Sequence, residues 1–194
     1  MIYLAIDDAI ATGYALVGGE TGKNPVHLAS GVLLTVRKES YIRQVYRLLR
    51  SLPARPTHAC VEAPFPAIIK GKLRNLKGFA RACGMHFVWV DAIYDIFGLR
   101  AEVVYPSEWQ TITRHVIGTT AKERSLYLAR QVYHLDITQH DQADALCMAY
   151  WMHQRYGFLL TIDDSDPKAG IKRALNTYAA KKGQSPMLWL EVEK

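Results

Sequence analysis

The chain has 194 residues, 49% hydrophobic and 22% charged, which suffices for one soluble domain with a substantial core plus an extension. No apolar run reaches the roughly 18 residues of a membrane span, and the N-terminus lacks a basic region followed by an apolar stretch and a small-residue cleavage site, so a cytoplasmic protein is expected. A net charge of +6 favours an anionic partner, nucleic acid first, while Cys60, Cys83 and Cys147 lie in apolar surroundings without metal-ligand spacing and read as buried thiols.

Met1 to Ile6, Gly13 to Val17 and Val26 to Val36 read as the strands of an antiparallel meander, with turn residues supplied by Gly18-Gly19-Glu20-Thr21-Gly22. Ile42, Val45, Tyr46 and Leu49 give Lys38 to Leu52 helical spacing. That helix stops before Pro53 and Pro56, because proline removes a backbone donor and restricts the residue ahead of it. Thr57 to Glu62 is a fourth strand. A strand, a helix and a parallel strand make a right-handed crossover, which can bring Asp7 and Glu62, the acids closing the first and fourth strands, to one sheet edge.

After Pro64 and Pro66, the residues Leu73, Leu76, Ala80, Cys83, Phe87, Val90, Tyr94 and Phe97 recur at intervals of three and four. This seam predicts one long helix over 67–97; the competing reading breaks it at Gly84 and makes Met85 to Val90 a strand. Its first half carries Lys70, Lys72, Arg74, Lys77 and Arg81, a run that is ordinarily a solvated face and here, so soon after Glu62, is also a candidate for phosphate contact. Ala101 to Tyr105 is a fifth strand, and Pro106-Ser107-Glu108-Trp109 opens a short helix with Ser107 as its cap. Helices over Ala121 to Tyr133 and Thr138 to His153 complete a domain of residues 1–157. Residues 158–194, with an acidic turn at Asp163 to Pro167 and a short basic helix over Ala169 to Lys182, form a C-terminal extension.

Asp141 and Asp144 stand three residues apart at the start of the last core helix, and so share one face. Asp141 has a structural reading as part of a capping box, Thr138-Gln139-His140-Asp141. Asp144, between Ala143 and Ala145, is a carboxylate on an apolar helix, and such a group needs a cation or several donors. A lone strand-end acid is ordinarily a solvated turn residue. Four at the ends of core elements suit phosphodiester hydrolysis, which needs a nucleophile at neutral pH and compensation for charge on the leaving oxygen. Two divalent cations roughly 3.5–4 Å apart supply both, and hard ions take oxygen ligands. The competing acids Asp91/Asp95 and Asp163/Asp164/Asp166 do not end a core strand.

Asp7 with Thr12-Gly13-Tyr14 following, Val61-Glu62 at the end of the fourth strand, and Asp141-x-x-Asp144-Ala145-Leu146 together resemble the RuvC-type Holliday junction resolvases of the ribonuclease H-like superfamily, over about residues 1 to 155. The resemblance implies an α/β, ribonuclease H-like fold: a five-stranded mixed sheet of order 3-2-1-4-5 flanked by helices. It implies a crossover junction endodeoxyribonuclease, a homodimer that makes paired metal-dependent nicks in branched, four-way DNA. On it, Asp7, Glu62, Asp141 and Asp144 would bind Mg²⁺ or Mn²⁺, and Lys122 would contact the scissile phosphate. Phe65 would fall where an aromatic inserts into the junction, a core or turn-packing Phe beside two prolines being the other reading. The sequence departs from the family at Asp7-Asp8-Ala9, where Asp-Pro-Gly is usual, and at Gln110 or Thr111, where a lysine is usual. These departures point to a divergent, phage-encoded member. Two alternatives stay open: a less selective nuclease of the same fold acting on flaps, forks or RNA–DNA hybrids, and a non-catalytic DNA-binding protein of that fold.

Overall fold

Ile2–Asp7 (β1), Thr12–Gly18 (β2) and Val26–Leu33 (β3), rich in apolar residues, form an antiparallel meander. The structure is a computed structural model. It describes residues 1–159 except 9–10, 21–22, 35–38, 66–67, 70–71 and 74, and the side chains of those residues except at 68–69, 72–73 and 157–159. The third strand ends at Leu33, short of the expected Val36. Tyr41–Arg50 (α1) follows, started by Ser40, whose hydroxyl accepts from the Arg43 N–H. It crosses over to His58–Glu62 (β4), which pairs parallel to β1 in the register Ile6 with Val61.

The next segment departs from the sequence expectation. Ile68–Ile69 (β5) and Lys72–Leu73 (β6) pair as a small antiparallel hairpin, and the helix expected over 67–97 is Leu76–Phe97 (α2). Asn75 separates the two elements. Its φ of 58° is left-handed, and its side chain accepts from the Gly78 N–H at 2.9 Å, which makes it the helix cap. The periodicity of Leu73 and Leu76 runs straight across this break, so spacing alone hides it. Lys72 therefore belongs to the hairpin, Lys77 and Arg81 to the helix, and Lys70 and Arg74 lie outside the described residues. The helix continues unbroken through Gly84, which excludes a strand at 85–90, and ends at Gly98 in a left-handed cap.

Glu102–Val104 (β7) adds parallel to β4, completing a sheet of order β3-β2-β1-β4-β7. This is the expected 3-2-1-4-5, the last core strand being seventh because the hairpin intervenes. Pro106–Trp109 (α3) begins with Tyr105, not Ser107, at the cap position, and a 3₁₀ turn over Gln110–Thr113 follows. Ala121–Tyr133 (α4) opens on a reciprocal Thr120 and Glu123 capping box. His140–Leu159 (α5) runs past the expected end at His153, and Asp141 sits in its first turn. The 157/158 division falls in the last turn of α5, and the rest of the extension, Ala169 to Lys182 included, lies outside the described residues.

Strand alternation divides the core in two. Tyr3, Ala5, Ala15 and Cys60 face α4 and α5 with Leu146, Met148 and Met152, while Leu4, Ile6, Leu16 and Val61 face α1 and α2 with Val45, Leu49, Trp89 and Ile93. On α2 the buried stripe is His86, Trp89, Ala92, Ile93 and Phe97. The heptad seam marks instead mostly the outward face, where Leu76, Phe87 and Tyr94 are 65%, 63% and 56% exposed. All three cysteines are free. Among the described residues no helix is long and apolar enough to cross a membrane.

Candidate active site

The ends of β1 and β4 and the first turn of α5 meet at one edge of the sheet. Asp7 is the last residue of β1, only 4% exposed, and pairs across the ladder with Gly13 of β2. Gly13 is also the seat of α5: a Cβ there would lie 1.9 Å from the Asp141 carbonyl oxygen, so the two backbones approach as only glycine permits. The Gln142 side chain adds a hydrogen bond to Ser30 Oγ at 2.8 Å, tying the same turn to β3. Asp141 and Asp144 are thus held over the end of β1. Glu62 ends β4, and the register of Ile6 with Val61 sets it beside Asp7.

The electrostatics show that these carboxylates act on one another. Asp7 is held well above the ordinary carboxylate range, first by burial, then by the charge of Glu62 and a hydrogen bond with its carboxyl, then by Asp144 and Asp141. The other three acids predicted from the sequence all act on Asp7. Asp144 is pushed up to about 6, chiefly by burial; the Ser125 hydroxyl and Lys122 pull it down, and Glu62 and Asp141 push it up. Lys122, exposed in the first turn of α4, lies close enough for its charge to act on Asp144.

Three further features join the site. Asp8 is raised to about 7, by burial first and Glu62 second, and both its carboxylate oxygens are shielded from solvent without a hydrogen-bond partner among the described residues. Its charge is felt by Tyr41 on α1, the opposite side of the sheet from α5. The indole of Trp109 donates to Glu62 Oε1 at 2.8 Å, and His86 Nδ1 donates to the Glu62 backbone oxygen at 3.0 Å. A second acid after a strand was a sequence signal for Asp8. Nothing in the spacing of Trp109 or His86 says which way either faces.

Around the acids, Phe65 lies three residues past Glu62 and is 72% exposed, which excludes its reading as a core Phe. Lys77 and Arg81 are exposed on α2. The competing Asp95 accepts from the Tyr46 hydroxyl on the surface and joins no site. Among the described residues no three acids, as they stand, close into a coordination cage. The donor set nonetheless suits a hard divalent cation. It is carboxylate oxygen throughout, and burial together with the neighbouring carboxylate charges that raise Asp7 is what a cation's charge would offset.

No family model matches the sequence, and no curated protein matches it. The fold does find counterparts among solved structures. One is T. thermophilus RuvC in complex with Holliday junction substrate, with a TM-score of 0.59 and 18% identity, covering 83% of this chain and 96% of that one. Another is a Thermus thermophilus RuvC structure, with a TM-score of 0.54, 20% identity and the same coverage of both chains, 83% and 96%. The chain has a RuvC-like fold.

Proposed function

We propose that this chain is a divalent-metal-dependent endonuclease that resolves four-way DNA junctions by paired nicks. One observation carries the reading: Asp7, Glu62, Asp141 and Asp144 are electrostatically coupled at one sheet edge, in a fold shared with a RuvC solved on Holliday junction substrate. Asp7, Glu62, Asp141 and Asp144 would hold the cations. Mg²⁺ or Mn²⁺ there supplies nucleophile activation and charge neutralisation at a phosphodiester.

The remaining roles fall to this chain's own residues. Asp7, buried at the centre of the acids, would be the innermost of the carboxylates that hold a cation. Lys122, close enough to lower Asp144, offsets charge on the scissile phosphate. Lys77 and Arg81, with Lys70, Lys72 and Arg74 before them, contact backbone phosphates and so position DNA without reading its sequence. Phe65, presented to solvent beside the site, stacks on bases unpaired at the crossover. Leu76, Phe87 and Tyr94 leave an apolar row on the outside of α2, and a second copy of the chain covers it about a two-fold axis that matches the symmetry of the junction.

The decisive assay is cleavage of an end-labelled synthetic four-way junction with Mg²⁺, against linear duplex, flap and RNA–DNA hybrid competitors. Symmetric paired nicks in the junction alone are expected. Asp7→Asn should abolish cutting yet retain junction binding, because the phosphate contacts lie on other residues. Equal cutting of flaps or hybrids would replace this reading with a less selective nuclease, and binding without metal-dependent product would replace it with a DNA-binding protein.

A further inference from the structure

We infer that Trp109 is a positioning residue that fixes the Glu62 carboxylate so that it presents a single oxygen, Oε2, to the cation; this rests on the reading of Glu62 as a metal-holding acid. Glu62 is the last residue of its strand and only partly buried, and its side chain has three torsions that the strand does not fix. Trp109 is the opposite kind of group: rigid, 1% exposed and packed within the core beneath α5. Its indole N–H is a donor only, so the 2.8 Å bond engages Oε1 as an acceptor.

The local sequence is built to hold that bond. Glu62 pairs with Val104 in the β4–β7 ladder, and the Ala63 N–H continues it to the Val104 oxygen at 2.8 Å. Immediately beyond, Tyr105 and Pro106 start α3, and the Glu108 carboxylate accepts from the Tyr105 N–H at 2.8 Å, which locks the turn carrying Trp109. His86 fixes the Glu62 backbone oxygen from the other side. Both backbone and side chain of Glu62 are thereby set: Trp109 engages Oε1, and the carboxyl, which also hydrogen-bonds Asp7, is turned with Oε2 as the oxygen Trp109 leaves to a cation. A phenylalanine at 109 would keep an aromatic ring there and lose the donor.

Two measurements on the full chain test this. In the ¹H–¹⁵N spectrum of ¹⁵N-indole-labelled wild type, the Trp109 signal should move on addition of Mg²⁺, and Glu62→Gln should move the same signal without metal. In calorimetric titration with Mn²⁺, Trp109→Phe should weaken binding about tenfold, within the range for partners that orient metal ligands. The Mg²⁺ concentration for half-maximal cutting should rise by a similar factor, junction affinity should stay unchanged, and excess Mg²⁺ should restore kcat. In a Glu62→Gln background, Trp109→Phe should cause no further loss of Mn²⁺ affinity. A purely structural Trp109 would lower the melting temperature in both backgrounds and leave the metal requirement alone. Mn²⁺ binding that Asp7→Asn destroys but folded Trp109→Phe leaves intact overturns this inference alone. No Mn²⁺ binding by the wild type overturns it together with the active-site reading. If Trp109→Phe does not fold, the wild-type spectrum decides: an indole signal indifferent to both Mg²⁺ and Glu62→Gln sinks the inference.

Discussion

Asp7, Asp8 and Asp144 all sit above the ordinary carboxylate range, so the fold favours their protonated forms. Their contribution to stability is complete below the unfolded value of 3.8 and is lost as pH rises through about 6 for Asp144 and about 7 for Asp8. The metal-free protein should therefore melt at a lower temperature at pH 8 than at pH 5, and Asp144→Asn should flatten that slope in a calorimetric pH series. Mn²⁺ binding should tighten over the same interval, because the cation must displace those protons. At this scale the sequence was informative where a residue breaks a pattern: Asp144 is an acid in an apolar helix, and Asp7 and Glu62 are acids closing apolar strands. It was silent on Trp109 and His86, because their roles depend on the orientation of α3 and α2 against β4, which no local spacing encodes.

Among the elements, α5 shows how a single residue can place a helix. A Cβ on Gly13 would meet the backbone of Asp141, which cannot rotate away as a side chain could. Gly13→Ala should cost about 1–3 kcal/mol, as overpacking does, and should abolish cutting by lifting Asp141 and Asp144 from Asp7. Thermal melts and the junction assay read the two effects separately. Gly84→Ala is the contrasting control. Nothing lies within 4 Å of a Cβ at Gly84, in the middle of α2, so alanine there should stabilise by about 0.5–1 kcal/mol and leave cutting unchanged. The hairpin before α2 was the element least legible in sequence. Leu73 keeps the helical interval although it belongs to a strand, and the break rests on the left-handed backbone of Asn75, a conformation that spacing does not report.

For the whole molecule, the sheet order was legible because few connections are possible: a meander followed by right-handed crossovers leaves essentially one arrangement. The outward face of α2 was legible as a pattern but not as a surface, since a seam of apolar residues looks the same whether a core or a second chain covers it. Phe87→Glu combined with Tyr94→Glu should leave the fold intact, make the protein monomeric in sedimentation, and uncouple the two nicks so that singly nicked junctions accumulate. The parallel pairing of β1 with β4 has a further consequence, for biosynthesis. It joins positions as far apart as Ile2 and Thr57, and the acids of α5 lie beyond residue 140. Long-range parallel pairing is slow to form. A growing chain accordingly holds Asp7 from its first residues but no complete acid cluster until Asp144 has left the ribosome, so truncated or half-folded copies carry no assembled site.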